Sequence, residues 1–133
     1  MSELDAKRPR ILPEAATRTL RSFVQRAGRL TPAQQRALEE LWPKYGLEIA
    51  QGPLDARARF GRTAPLVLEI GFGNGEALIH GALHSPARDF IGIEVHKPGV
   101  GRALNAIESN ALPNVRVYAE DAVEVLKQCI GEG

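Results

Sequence analysis

Cysteine is nearly absent from this chain: Cys129 is the only one in 133 residues. That excludes a disulfide framework, and without paired Cys/His spacing His80, His84 and His96 make no metal set. No apolar run approaches the ~20 residues that cross a bilayer, and no signal-peptide core stands near Met1. Neither membrane nor export is expected, so the protein should be cytoplasmic. Internal repeats and low-complexity tracts are missing too. At this length the chain amounts to one domain at most. Net charge is also scarce, with 17 Lys and Arg against 16 Asp and Glu, but the balance hides an asymmetry. Residues 1–36 carry eight Lys or Arg and three acids, whereas residues 37–133 carry nine and thirteen.

What is present starts with Leu66-Val-Leu-Glu-Ile-Gly-Phe-Gly-Asn-Gly-Glu76. Val67, Leu68 and Ile70 form the short apolar run of a parallel strand covered on both faces, and Gly71, Gly73 and Gly75 then open a helical stretch. Glycine lets the backbone turn sharply and approach a ligand closely. A dinucleotide fingerprint is Gly-x-Gly-x-x-Gly/Ala, with pyrophosphate at the helix N-terminus. Here Glu76 takes the third-glycine position and Glu69 precedes the first glycine. Carboxylates repel phosphate. S-adenosylmethionine, net cationic and free of phosphate, suits an acidic pocket. The bland alternative is an ordinary tight strand-to-helix turn.

Phe90-Ile-Gly-Ile-Glu-Val95 is a second apolar run, with Glu94 about 20 residues past the glycines, the spacing used for ribose recognition. Val115-Arg-Val-Tyr-Ala119 is a third strand, leading into Glu120-Asp121-Ala122. Asp121 suits an adenine amino group. In an open parallel sheet ligands bind at the carboxyl ends of strands, where Glu69, Glu94 and Asp121 would all sit. Singly, each acid also suits a solvated loop or a helix N-cap, Asp121 especially for the helix Ala122 to Ile130.

Together with Phe90-Ile-Gly-Ile-Glu-Val-His-Lys-Pro-Gly-Val-Gly101, Asn114-Val-Arg-Val-Tyr-Ala-Glu-Asp-Ala-Val-Glu-Val-Leu126 and Arg21-Ser-Phe-Val-Gln-Arg-Ala-Gly-Arg-Leu-Thr31, the glycine run resembles bacterial tRNA (guanine-N7-)-methyltransferases over residues 18 to 130. The stretch Glu94 to Gly101 is the most specific part. The resemblance implies an α/β, Rossmann-like class I methyltransferase fold and S-adenosyl-L-methionine as cofactor, held by Glu69, Gly71, Gly73, Glu94 and Asp121. It further implies tRNA as partner and methylation of guanine N7 in its variable loop. In the family a fourth strand leads to a Pro-Asp-Pro-Trp type segment carrying the active-site aspartate; Gly133 precedes any such segment, so no catalytic residue is assigned. The chain alone is expected to be inactive. A class I methyltransferase with another substrate, and a fragment that binds RNA or cofactor without transfer, share these residues and stay open.

Residues 62–133 are expected to form the cofactor-binding half of the domain, three parallel strands in the order 3-2-1 with flanking helices. That order leaves Leu66 to Ile70 as an uncovered edge, open to self-association. Residues 1–61 are expected to form a basic arm and helix for tRNA contact, partly unstructured. Arg18, Arg21, Arg26 and Arg29 are its candidate phosphate ligands; a solvated terminus is the alternative. Thr31-Pro-Ala-Gln34 is a capping box, and Trp42 and Tyr45 are expected to pack rather than stack on a base. Gln51 to Leu54 is expected as a turn and Asp55 to Arg62 as a connector.

Overall fold

The computed structural model describes residues 29–131. Thr31 opens the first helix as the capping box requires. Its hydroxyl accepts from the Gln34 amide at 3.1 Å, the Gln34 side chain accepts from the Thr31 amide at 3.0 Å, and Pro32 stands where a helix leaves its N–H unpaired. Helix α1 (Pro32–Glu40) runs into α2 (Trp42–Tyr45) and strand β1 (Gly46–Leu47). A 3-10 turn (Ile49–Gln51) and α3 (Ala56–Phe60), capped by Asp55, lead to β2 (Leu66–Ile70). Strand and helix then alternate through α4 (Glu76–His84), β3 (Asp89–Ile93), α5 (Lys97–Ser109), β4 (Val115–Tyr118) and α6 (Ala122–Gln128).

All pairings are parallel, in the order β1-β4-β3-β2. The expected 3-2-1 order is present as β4-β3-β2. The second strand lies at Asp89–Ile93 rather than Phe90 to Val95, and the third ends at Tyr118. Two elements correct the sequence reading. Strand β1, with Gly46 beside Val117 and Leu47 beside Tyr118, makes the sheet four-stranded. The segment expected as a plain connector contains α3.

Alternation along the strands divides the core into two layers. Val67, Phe90, Val115 and Val117 face α1, α4 and α5, where Leu78, Ala82, Val100, Leu104 and Ile107 fill the interior. Leu68, Ile91, Ile93 and Tyr118 face α3 and α6, against Phe60, Val125 and Cys129. Helix α1 joins the first layer by close approach: a Cβ on Gly101 would press on the Gln34 backbone, and Asn105 Nδ2 donates to Ala33 O at 3.2 Å. Tyr45 is buried and Trp42 packs beside it, as expected. Arg116 lies between the rings of Tyr45 and Phe60, 5.7 and 5.1 Å from their centroids, and burial lowers its pKa.

β3 is buried throughout, but β2 is not. Leu66 is 38% and Ile70 54% exposed, so the two-faced burial suggested by the apolar run is not reached. Among the described residues β2 pairs only with β3. Asp89 N donates to Pro65 O at 2.9 Å and Gly71 N to Ile93 O at 2.7 Å. By alternation, the amides and carbonyls of Leu66, Leu68 and Ile70 point to the free edge.

At the start of β3 the carboxylate of Asp89, only 2% exposed, accepts from Arg62 Nη2 at 2.7 Å and Nε at 3.1 Å. Arg62→Ala strands that charge and is expected to cost roughly 3 kcal/mol, seen as a lower urea midpoint at unchanged m-value. An unmoved midpoint would show that water replaces the guanidinium without loss.

Candidate functional site

Parallel strands finish at one edge of a sheet, and register decides what meets there. Ile70 pairs with Ile93, and Ile93 with Tyr118. Consequently Gly71 and Glu94 leave the sheet side by side, and Asp121 opens α6 one strand further along. The expected cofactor residues Glu69, Gly71, Gly73, Glu94 and Asp121 lie along this edge.

The loop after β2 has left-handed backbone at Gly71 (φ 71°), Gly73 (φ 63°) and Gly75 (φ 87°), which side-chain-bearing residues resist. A Cβ on Gly71 or Gly73 would meet no atom within 4 Å, so the space above both is open. Gly99, in the first turn of α5, is the opposite case: a Cβ there would overlap the Gly73 carbonyl oxygen. The helix reaches the loop only because that position is bare.

Glu94, half-buried, ties these pieces together. Its Oε1 accepts from the Gly73 amide at 2.7 Å, and Oε2 accepts from the amides of His96 at 3.0 Å and Val95 at 3.1 Å. Glu69 is also half-buried, near the end of β2 on the Val67 side. Asp121 Oδ2 accepts from the Glu124 amide at 3.1 Å, so Asp121 caps α6 while remaining exposed. The neighbouring Glu120 accepts from the Ile49 amide at 2.8 Å and belongs to the scaffold.

Two residues that sequence reasoning passed over flank these acids. Val95 is 59% and Val123 58% exposed, each beside a site carboxylate. Periodicity assigns apolar residues to cores; only the points where β3 ends and α6 begins leave these two in solvent. His96 is exposed at the N-cap of α5, two positions after Glu94. Arg29 is exposed ahead of α1, whereas Arg18, Arg21 and Arg26 lie outside the described residues. Among the described residues no group of three or more His, Cys, Asp or Glu is placed to hold a metal, and no helix is long and apolar enough to cross a membrane. A groove of about 500 Å³ between α4 and α5, lined by Asn74, Glu76, Ile79, His80, Arg102 and Ala106, contains none of the three acids.

The resemblance read from the sequence is upheld by comparison with known proteins. Three similar relatives are each named tRNA (guanine-N(7)-)-methyltransferase. The protein of Xanthomonas campestris pv. campestris (strain 8004) is 60% identical over 120 residues, 90% of this chain and 46% of the relative. That of Idiomarina loihiensis is 59% identical over 113 residues, 85% of this chain and 46% of the relative. That of Stutzerimonas stutzeri (strain A1501) is 55% identical over 118 residues, 89% of this chain and 50% of the relative. The chain thus spans about half the length of the curated relatives it matches. A family model described as a putative methyltransferase matches residues 63–133, the span that holds β2 to α6 and all three acids, and the chain belongs to that methyltransferase family.

Proposed function

We propose that the carboxyl edge of the sheet binds S-adenosyl-L-methionine through Glu69, Gly71, Gly73, Glu94 and Asp121. On this reading the chain is the cofactor-binding half of an enzyme that methylates guanine N7 in the variable loop of tRNA. The observation that carries the cofactor assignment is the Gly73 to Glu94 hydrogen bond. A dinucleotide site offers its glycine-loop amides to pyrophosphate. Here the Gly73 amide is taken by a carboxylate, whose charge would repel an arriving phosphate. A phosphate-free, cationic ligand meets no such barrier. Glu94 suits a ribose hydroxyl, Asp121 an adenine amino group, and the exposed Val95 and Val123 give apolar surface for adenine faces. The relatives' printed name supports the tRNA substrate and the position methylated.

When bound, the cofactor supplies an electrophilic methyl on a sulfonium. Guanine N7 presents a lone pair and no proton, so no general base is required. The protein's tasks are alignment of the reacting atoms and exclusion of water. No described residue is assigned as catalytic. Residues 62–133 take the cofactor role, and residues 1–61 the RNA role, with Arg18, Arg21, Arg26 and Arg29 on phosphates. The free edge of β2 supports pairing between copies of the chain.

Calorimetric titration with S-adenosylhomocysteine is expected to show saturable binding, weakened at least about tenfold in Glu94→Ala, in keeping with loss of charge-assisted hydrogen bonds. NADH binding more tightly would contradict the cofactor assignment. Affinity for tRNA should fall steeply with salt, and replacing Arg18, Arg21 and Arg26 by Ala should flatten the log-log slope by about 2; an unchanged slope removes the arm from the RNA site. Gel filtration should show apparent mass rising with concentration. A monomer at every concentration would refute edge pairing.

A further inference from the structure

Glu94 is engaged without any ligand. A carboxylate offers about four acceptor sites, and main-chain donors fill three of them: Gly73 on Oε1, His96 and Val95 on Oε2. The first bond crosses from the end of β3 to a loop 21 positions earlier; the other two fold the side chain onto its own turn. Gly73 itself is exposed and left-handed, so burial does not hold it. Its carbonyl abuts the first turn of α5 at Gly99, where a Cβ would collide with it, and Pro98 stiffens that turn.

We propose that Glu94 is a positioning residue which, with Gly99, brackets Gly73 and fixes the glycine loop in its open form before a cofactor arrives. One arm of the bracket takes the Gly73 N–H, and the other limits where its C=O can go. The run Glu94-Val-His-Lys-Pro-Gly99 thereby has a task distinct from ligand contact. A three-glycine loop released from the bracket would sample many backbone states. The binding-competent fraction, and the apparent affinity with it, would fall in proportion. One acceptor site stays open on the carboxylate, enough for a single ribose hydroxyl with the bracket intact. The inference deepens the cofactor reading, and rests on it only for the effect on affinity.

Amide hydrogen exchange of the cofactor-free chain tests it. In the unmodified protein the Gly73 amide is expected to exchange at least about tenfold more slowly than in an unstructured peptide. Glu94→Gln keeps the shape and can still meet a ribose hydroxyl, but turns an NH₂ towards backbone donors. Glu94→Ala, which keeps no acceptor, should abolish Gly73 protection while Ile91 and Val117 in the sheet stay protected, and Glu94→Gln, with one acceptor oxygen for three donors, should lower it. Gly99→Ala reaches the loop from the other side and should also speed Gly73 exchange. Each variant should weaken S-adenosylhomocysteine binding about tenfold, and the double variant by less than the product, because both act on one loop. An unprotected Gly73 in the unmodified chain overturns the bracket whatever the variants do, as does undiminished protection in Glu94→Ala. Weaker binding with Gly73 protection intact would make Glu94 a ligand contact only, overturning the bracket and sparing the cofactor reading. Protection lost in the variants of a chain that never binds S-adenosylhomocysteine would support the bracket and overturn the cofactor reading instead.

Discussion

The parallel register of β2, β3 and β4 is the constraint on which the rest depends. Leu66 lies beside Asp89 and Ile70 beside Ile93, while Ile93 lies beside Tyr118. Side chains alternate along a strand, so a slip of one residue would turn Val67 and Phe90 out of their layer. It would also separate Gly73 from Glu94. Burial of β3 on both faces holds the register, and the same burial delivers the acids and the glycine loop to one edge. Stability and site geometry thus come from a single packing arrangement.

The site's electrostatics follow from that geometry. Glu94 is useful because a backbone donor from another strand's loop reaches it, and Gly99 because its missing side chain lets α5 close the gap. Glu94 and Asp121 accept from backbone amides where the chain leaves the sheet, so these two can hold the scaffold and still present charge. Asp121 shows both at once, capping α6 while exposed at the edge.

Much of this was legible in the residues. Leu66–Ile70 carries its own boundaries, an apolar run ended by glycine, and the structure keeps them. Thr31 and Gln34 declare a helix start through local chemistry that needs no tertiary partner. β1 was missed because two residues have no period, and its place is fixed by Val117 and Tyr118 some 70 positions away. α3 was missed because Ala-Arg-Ala-Arg-Phe shows no apolar stripe, although Asp55 and Gly61 marked its ends. The role of Glu94 as an acid by the glycine loop was visible, but its three backbone bonds depend on loop conformation, which no spacing encodes. The exposure of Val95 and Val123 was hidden because it turns on where β3 ends and α6 begins, and apolar periodicity does not mark those points.

The central claim is that the carboxyl edge of the sheet is where the cofactor binds. Mapping amide chemical-shift changes on addition of S-adenosylhomocysteine addresses it directly. The account predicts changes confined to Glu69–Gly75, Glu94–His96 and Glu120–Val123. Changes centred instead on Ile79, His80, Arg102 and Ala106, in the groove between α4 and α5, would contradict it.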